Sequence, residues 1–375
     1  MIYFDHSATT RPLPAAREAM LAALEEFGNP SSLHSAGLRA ERLVRASREA
    51  LAQSLGVAAG EIFFTSGATE SNNTALFGAA RARKKRGRRI VASALEHPSV
   101  ARCLDALEAE GFEVVRVFPR EGAIREEDLF KAITADTVLV SLMAVQSETG
   151  ERLPIEGVAA RIREAGAPAL FHVDAVQAYG RLPLFPKRQG IDLLSLSGHK
   201  IGGPKGVGAL YVGKGVHLPP LLLGGGQEAG LRSGTENVPA IAGMGAAVRF
   251  LFSPEGKEAL RELDRVGLSL EERLREAEGV VPNFPERKVS YISNVSLPPV
   301  LSETVLHALD ARGLIVSAGS ACSSKAKQSA VLQAYGLTGD RLRSAIRISL
   351  GLGNTEAEVD SLLEALQDCR KLAHR

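Results

Sequence analysis

The sequence predicts an α/β fold in two domains, and three observations carry that prediction. Helical patterns alternate with short apolar runs along nearly the whole chain. Two of those runs, 169–173 and 191–200, read as buried strands that each deliver a polar residue at the C-terminal end. The chain has 375 residues, 45% of them hydrophobic, which is enough for a core larger than one small domain requires.

The elements follow in order. Residues 14–27, rich in Ala, Leu and Glu, predict a helix. Asn29-Pro-Ser-Ser-Leu-His34 predicts a turn, and 38–55 a second, amphipathic helix. A short strand is expected over 61–65. A helix is expected over 66–86, with Ser66 as its N-cap and Gly87 closing its end. Strands are expected over 89–93, 113–118 and 137–143, with helices between, and over 207–212. The stretch 219–239 is long and glycine-rich, and is expected to be ordered by a partner surface. Phe252-Ser-Pro-Glu-Gly256 marks a boundary. Beyond it, helices over 257–278, 304–312 and 355–372 alternate with strands over 291–297, 314–316 and 344–350. The division drawn is a large domain over 14–251 and a small domain made of 1–13 and 252–375.

Composition excludes several function classes. Net charge is only +2 and Trp is absent, so a nucleic-acid surface is not expected. The basic run Arg81-Ala-Arg-Lys-Lys-Arg-Gly-Arg-Arg89 reads as a helix end, where cations suit the macrodipole. Three cysteines without regular spacing argue for a reducing compartment, and the chain is expected to be cytoplasmic. No apolar run reaches membrane-spanning length, and no basic segment followed by an apolar stretch opens the chain. Neither CxxC nor HExxH occurs, so no metal site is expected.

Chemistry concentrates in a few places. Asp174 ends the run 169–173, and Lys200 ends the run from Ile191 and opens the glycine-rich turn 201–206. In open α/β sheets that edge is where ligands sit. An Asp and a Lys there suggest pyridoxal phosphate (PLP), with Lys200 in a Schiff base and Asp174 on the pyridinium nitrogen. Backbone amides at the helix start Ala68–Thr69, the Thr69 hydroxyl, Ser197 and His199 could hold its phosphate. His97, just past a strand, could stack on the ring and move protons. Cys322 lies among small polar residues with Lys325 and Lys327 close by, a setting that favours thiolate. Cys103 and Cys369 sit in helical, partly apolar contexts. Arg347, inside an alternating strand, needs either an internal carboxylate or a substrate carboxylate.

With these residues in hand, the chain resembles the cysteine desulfurases, NifS/IscS-like members of the fold-type I PLP enzymes in the class-V aminotransferase superfamily. The resemblance rests on Phe4-Asp-His-Ser-Ala-Thr-Thr10, Gly28-Asn-Pro-Ser-Ser-Leu-His34, Thr65-Ser-Gly-Ala-Thr-Glu-Ser-Asn-Asn73, Glu96-His97 and Phe171-His-Val-Asp-Ala-Val-Gln177. It continues through Ser197-Gly-His-Lys200, Arg232-Ser-Gly-Thr-Glu-Asn237, Gly319-Ser-Ala-Cys-Ser323 and Ile346-Arg-Ile-Ser-Leu-Gly351. It implies a large domain with a mainly parallel seven-stranded sheet and a smaller α/β domain carrying the cysteine loop. It implies PLP on Lys200, Gln177 on the ring hydroxyl, and Ala68, Thr69, Ser197 and His199 at the phosphate, joined by Thr235 from the other subunit of a homodimer. Arg347 and Gln146 would contact L-cysteine, Gln146 also the cofactor, and Cys322 would take the sulfur as a persulfide for an acceptor protein in iron–sulfur or other thio-cofactor assembly. Two rivals remain open at this point: selenocysteine lyase or another PLP lyase or aminotransferase, and a weakly active sulfur carrier or scaffold.

The sequence also departs from the family. Gln146-Ser147-Glu148 stands where Asn-Asn-Glu is usual. The loop after Cys322 is one residue short, and Leu352-Gly-Asn354 replaces Arg-Thr-Thr.

Overall fold

The computed structural model describes residues 1–319 and 328–371. Cys322, Lys325 and Lys327 lie outside the described residues.

The large sheet has seven strands: β1 (Ile62–Thr65), β2 (Arg89–Ser93), β3 (Glu113–Val117), β4 (Thr137–Met143), β5 (Leu170–Asp174), β6 (Leu193–Ser197) and β7 (Gly208–Val212). Their spatial order is β1-β7-β6-β5-β4-β2-β3. Strands β3, β2, β4, β5 and β6 run parallel, while β7 is antiparallel to both β6 and β1. The mainly parallel seven-stranded sheet expected from the resemblance is therefore present. Both faces are covered, which is why the strands read as nearly unbroken apolar runs. On one face pack α1 (Pro14–Leu24), α2 (Ser35–Leu55) and, further along the chain, 238–251. On the other pack α3 (Ala68–Arg83) and α4 (Pro98–Ala109).

After the sheet come α5 (Val238–Leu251) and α6 (Pro254–Glu276), separated only by Phe252 and Ser253. Ser253 caps α6 by accepting the Gly256 N–H at 3.2 Å. A second, antiparallel sheet joins β8 (Val281–Pro282), β9 (Ile292–Ser296) and β10 (Ala345–Ser349) in the order β10-β9-β8. Helices α7 (Ser302–Asp310) and α8 (Glu356–Arg370) pack with it. The chain start returns here: Ile2–Tyr3 pairs in parallel with Leu314–Ile315, and Asp5 bridges to Ser349.

Local expectations failed at three helix ends. Ser66 is not a side-chain cap. Helix α3 begins at Ala68, no side chain caps it, and the Ser66 N–H instead donates to Glu70 Oε2 at 3.0 Å. Gly87 does not close that helix, which ends at Arg83. Helix α1 stops at Leu24, short of Phe27. Three members of the exposed basic run make intramolecular contacts: Arg81 pairs with Glu110, Arg89 with Glu113, and Lys84 lies over the Phe112 ring. One glycine is demanded by close approach. A Cβ on Gly208 would stand 2.5 Å from the Leu196 carbonyl oxygen and 2.7 Å from Gly67, so only glycine lets the 65–67 turn lie across β7.

Candidate active site

The parallel strands β2, β4, β5 and β6 all point their C-terminal ends at one edge of the large sheet. Residues at those ends line a cavity of about 370 Å³. Its wall includes Ala68, Thr69, His97, Asp174, Gln177, Ser197, His199, Lys200 and Arg347. Residues scattered over some 280 positions of sequence thus meet in one place.

Asp174 ends β5 and is 5% exposed. Its Oδ2 accepts from Asn72 Nδ2 at 2.8 Å, and its Oδ1 from the Val176 N–H at 3.0 Å. The same Asn72 amide reaches Ser99 Oγ at 2.9 Å, and Ser99 Oγ lies 2.8 Å from His97 Nδ1. His97 also accepts the Ser99 N–H on Nδ1 at 3.1 Å, which puts the proton of the neutral ring on Nε2. Burial holds the His97 pKa below its ordinary value, with Asp174 opposing and Lys200 reinforcing.

Lys200 follows β6 in a short 3₁₀ turn. Its Nζ donates to the Ser7 carbonyl oxygen and, at 2.9 Å, to that of Ala8. Gln177 Nε2 donates to the same Ser7 oxygen at 3.0 Å. The N-terminal segment is thus folded under the lysine, and Thr10 fixes it further by donating its hydroxyl to the His199 carbonyl at 2.8 Å. His199 Nδ1 lies 3.1 Å from Thr9 Oγ1, and its pKa falls to about 4 through burial and then the charges of Lys200 and Lys205.

From the small sheet, Arg347 also lines the cavity. Arg347, in β10, is 1% exposed. It donates from Nη2 to Asp5 Oδ1 at 2.6 Å and from Nη1 to the Ser147 carbonyl at 3.0 Å. Its buried Nε finds no acceptor among the described residues. The internal ion pair expected as one possibility is therefore real, and the guanidinium still borders the cavity.

Gln146 and Thr235 do not line this chain's cavity, and Thr235 is expected to come from a second subunit. Gln146 does not line the cavity, although Val145 and Ser147 do. Its side chain is 1% exposed and turned into its own loop: Oε1 accepts from the N–H groups of Glu148 (2.5 Å) and Thr149 (2.8 Å). Thr235 borders a separate hollow with Leu24, Phe27, Asn29 and Asn237. Cys322 is not described. The other two cysteines are buried, and burial pushes the Cys103 thiol up to about 11, far from a reactive thiolate.

Sequence reasoning missed Ser7, Ala8, Asn72, Ser99 and Lys205 as members of this neighbourhood. The available signal was Asn72 itself, a polar residue buried inside a helix with no turn or cap to serve.

The donor set fits PLP. No side chain caps the start of α3, and Ala68 and Thr69 line the cavity together with Ser197 and His199, so helix-start amides, a hydroxyl and an imidazole are on hand for a phosphate. Asp174, His97 and Lys200 line the same cavity, and a carboxylate, an imidazole and a lysine are the groups a pyridine ring and its aldehyde call for.

The class-V aminotransferase family model matches residues 2–362. The chain is 40% identical to a cysteine desulfurase IscS of Methanosarcina thermophila over 375 residues, covering 98% of this chain and 91% of that protein. It is 41% identical to a putative cysteine desulfurase IscS 1 of Bacillus subtilis strain 168, covering 99% and 98%. The chain belongs to the cysteine desulfurases of the class-V aminotransferase family. Among solved structures, a NifS-like protein superposes with a TM-score of 0.92 at 37% identity over 99% of both chains. The structure of SspA in complex with cysteine matches at 0.82 and 34% identity, over 95% of this chain and all of that one. Family members of this kind are PLP-dependent. Among the described residues, no helix is long and apolar enough to cross a membrane.

Proposed function

We propose that this enzyme converts L-cysteine to L-alanine with PLP held at Lys200, and that Cys322 receives the sulfur as a persulfide. The observation that carries the reading is the convergence of Lys200, Asp174 and His97 on one cavity that Arg347 also lines.

When bound, PLP supplies an electron sink for the substrate's Cα–H and Cβ–S bonds. Asp174 would hold the ring nitrogen protonated, and Gln177 would face the ring hydroxyl. The Ala68 and Thr69 amides, Ser197 and His199 would hold the phosphate. Lys200 Nζ would take the Cα proton. His97, kept neutral by burial, is suited to pass a proton without first losing one. Arg347 would bind the cysteine carboxylate. The Cys322 thiolate would attack the substrate sulfur: the Cβ–S bond breaks, a new S–S bond forms, and the three-carbon fragment leaves as alanine after protonation. Two nucleophiles, Lys200 and Cys322, split one hard cleavage into easier steps.

The proposal includes the two-domain division at 251/252, a cytoplasmic location and a homodimer. Leu24 and Phe27, 60% and 88% exposed, border the hollow that holds Thr235, and Leu223 is 83% exposed. An apolar surface of that kind suits a second copy, which would bring Thr235 to the phosphate. An iron–sulfur scaffold or thiolation protein would accept the sulfur.

The test uses purified protein. It should be yellow, and cysteine should yield equimolar alanine and, with reductant, sulfide. Lys200→Ala should abolish turnover, a loss of about 10⁴-fold or more. Cys322→Ser should keep the colour and release almost no sulfur. Colourless protein that cannot be reconstituted, or full turnover by Cys322→Ser, would overturn the reading.

A further inference from the structure

The face of the large sheet that meets α3 is layered along its strands. Leu139 and Leu170 are register partners in an apolar layer, and Leu193 stands one step further on, level with His172. Two residues further, β4, β5 and β6 each turn polar: Ser141, His172 and Ser195, none with any exposed surface. Two residues beyond those stand Met143, Asp174 and Ser197, in the cavity wall. The middle layer is fully bonded. His172 Nδ1 lies 2.9 Å from Ser141 Oγ, and Nε2 lies 2.9 Å from Ser195 Oγ. Ser195 is also the register partner of Asp174.

Stability does not explain this row. Apolar groups of similar shape in the same place can be neutral or stabilising, because paired polar groups still carry their desolvation cost. Two residues beyond the row stand Asp174, on the strand of His172, and Ser197, on the strand of Ser195; of the two, only Asp174 is ionisable and acts electrostatically on His172. Burial, against the opposing charge of Asp174, brings the His172 pKa down to about 4, so the imidazole is neutral whenever the enzyme works. The other titratable groups facing Asp174 are Glu96 and His97, with Lys200 behind His97.

We propose that Ser141, His172 and Ser195 form a positioning row beneath Asp174: a neutral, fixed dipole chain that sets the strength of its hold on the PLP ring nitrogen, while Asn72 and Val176 orient the carboxylate itself. The inference rests on the reading of Asp174 as the ring-nitrogen partner. His172 touches neither substrate nor cofactor and acts only through Asp174.

The experiment compares PLP-loaded wild type with His172→Phe, His172→Gln and the double variant Ser141→Ala/Ser195→Ala. Three quantities are read: the PLP dissociation constant, the pH midpoint of the visible band, and Tm. His172→Phe should weaken PLP about tenfold and move the midpoint by about 0.5 pH unit or more. His172→Gln, which keeps a donor and an acceptor, should recover most of both. If His172→Phe fails to fold, the double variant carries the test, since it removes the hydroxyl partners and little volume; it should shift both PLP quantities in the same direction. Unchanged PLP affinity and midpoint in the folded variants, with or without a lower Tm, overturns the positioning role and leaves the functional reading intact. A wild type that binds no PLP overturns both.

Discussion

The large-sheet wall of the cavity and the small-sheet wall hold their polar groups by different means. On the first, Asp174 rests on the Asn72 amide and the Val176 N–H, and Lys200 on the carbonyls of Ser7 and Ala8. On the second, Arg347 is matched by a full opposite charge on Asp5. Nearby, the buried carboxylates of Glu148 and Glu151 take hydroxyls from Ser329 and Tyr335, and burial raises the pKa of both. Neutral dipoles orient a charge without cancelling it, which suits the proposed role of Asp174 toward a cationic ring nitrogen. Arg347 is already answered inside the protein. A substrate carboxylate there must share the guanidinium with Asp5, and this makes the small-sheet wall a place where affinity can be tuned.

The largest effect expected from this contrast is that of Arg347→Ala. It would remove the proposed carboxylate clamp and strand Asp5 at once. Truncating one partner of a buried pair costs about 3–5 kcal/mol, and kcat/KM for cysteine should fall by about 10²–10³, chiefly through KM. A lowered Tm with KM unchanged would make Arg347 purely structural. Asp5→Asn should do the reverse on a smaller scale. Its amide oxygen still accepts from Nη2, but the guanidinium charge is released, so KM should drop about threefold while stability falls by about 1 kcal/mol. A rise in KM would instead show that Asp5 serves as a support for the clamp and not as its competitor.

Acid should weaken the large-sheet side through His172. The folded pKa of His172 is about 4, against 6.5 for the free side chain. The unfolded chain therefore binds the extra proton in that window. Stability from this group is complete above pH 6.5 and is lost as pH falls through 4, and a shift of this size amounts to about 3 kcal/mol. Glu96 works in the opposite sense: burial raises it to about 8, so its contribution is present below pH 4.5 and is lost as pH rises through 8. Tm measured against pH should pass through a maximum between these limbs, and His172→Gln should flatten the acid limb. An acid limb of equal steepness in that variant would assign it to other groups.

The two walls also differ in how much of them the sequence revealed. Strand-end residues on the large sheet were legible because a buried parallel strand is an apolar run, and a polar residue at its C-terminal end has nowhere to be but the ligand edge. Asp174, Lys200, Ser197 and His97 were found on that logic. What holds them was not legible. Ser7 and Ala8 act through backbone carbonyls, and a carbonyl is the same whatever the side chain. Asn72 and Ser99 depend on two helices lying side by side, which periodicity does not specify. On the small sheet, alternation showed that Arg347 faces its own side of the strand, but its partner Asp5 is 342 positions away. Helix ends were misread at Ser66 and Gly87 for a related reason. A cap assigned from residue type assumes a helix serving only itself, whereas the start of α3 is left uncapped toward the cavity.

The smallest expected effect concerns Gln146, at the seam between the two walls. The family resemblance places an Asn there in contact with cofactor and substrate, but the Gln side chain is committed to the 146–151 turn. Its Oε1 accepts from Glu148 and Thr149, its Nε2 lies 3.5 Å from the Leu95 carbonyl, and Glu148 in turn holds Ser329. Gln146→Asn shortens the side chain by one methylene and withdraws the acceptor from two N–H groups that burial leaves without water. The cost should be about 1 kcal/mol, or about 2–4 °C in Tm. The KM for cysteine should stay within about twofold, because no atom that borders the cavity is changed. Steady-state kinetics beside a melting curve separate the two possibilities. A KM moved tenfold at constant Tm would mean that Gln146 swings into the cavity when substrate is bound, and the small-sheet wall would then gain a second polar group able to bind the amino acid.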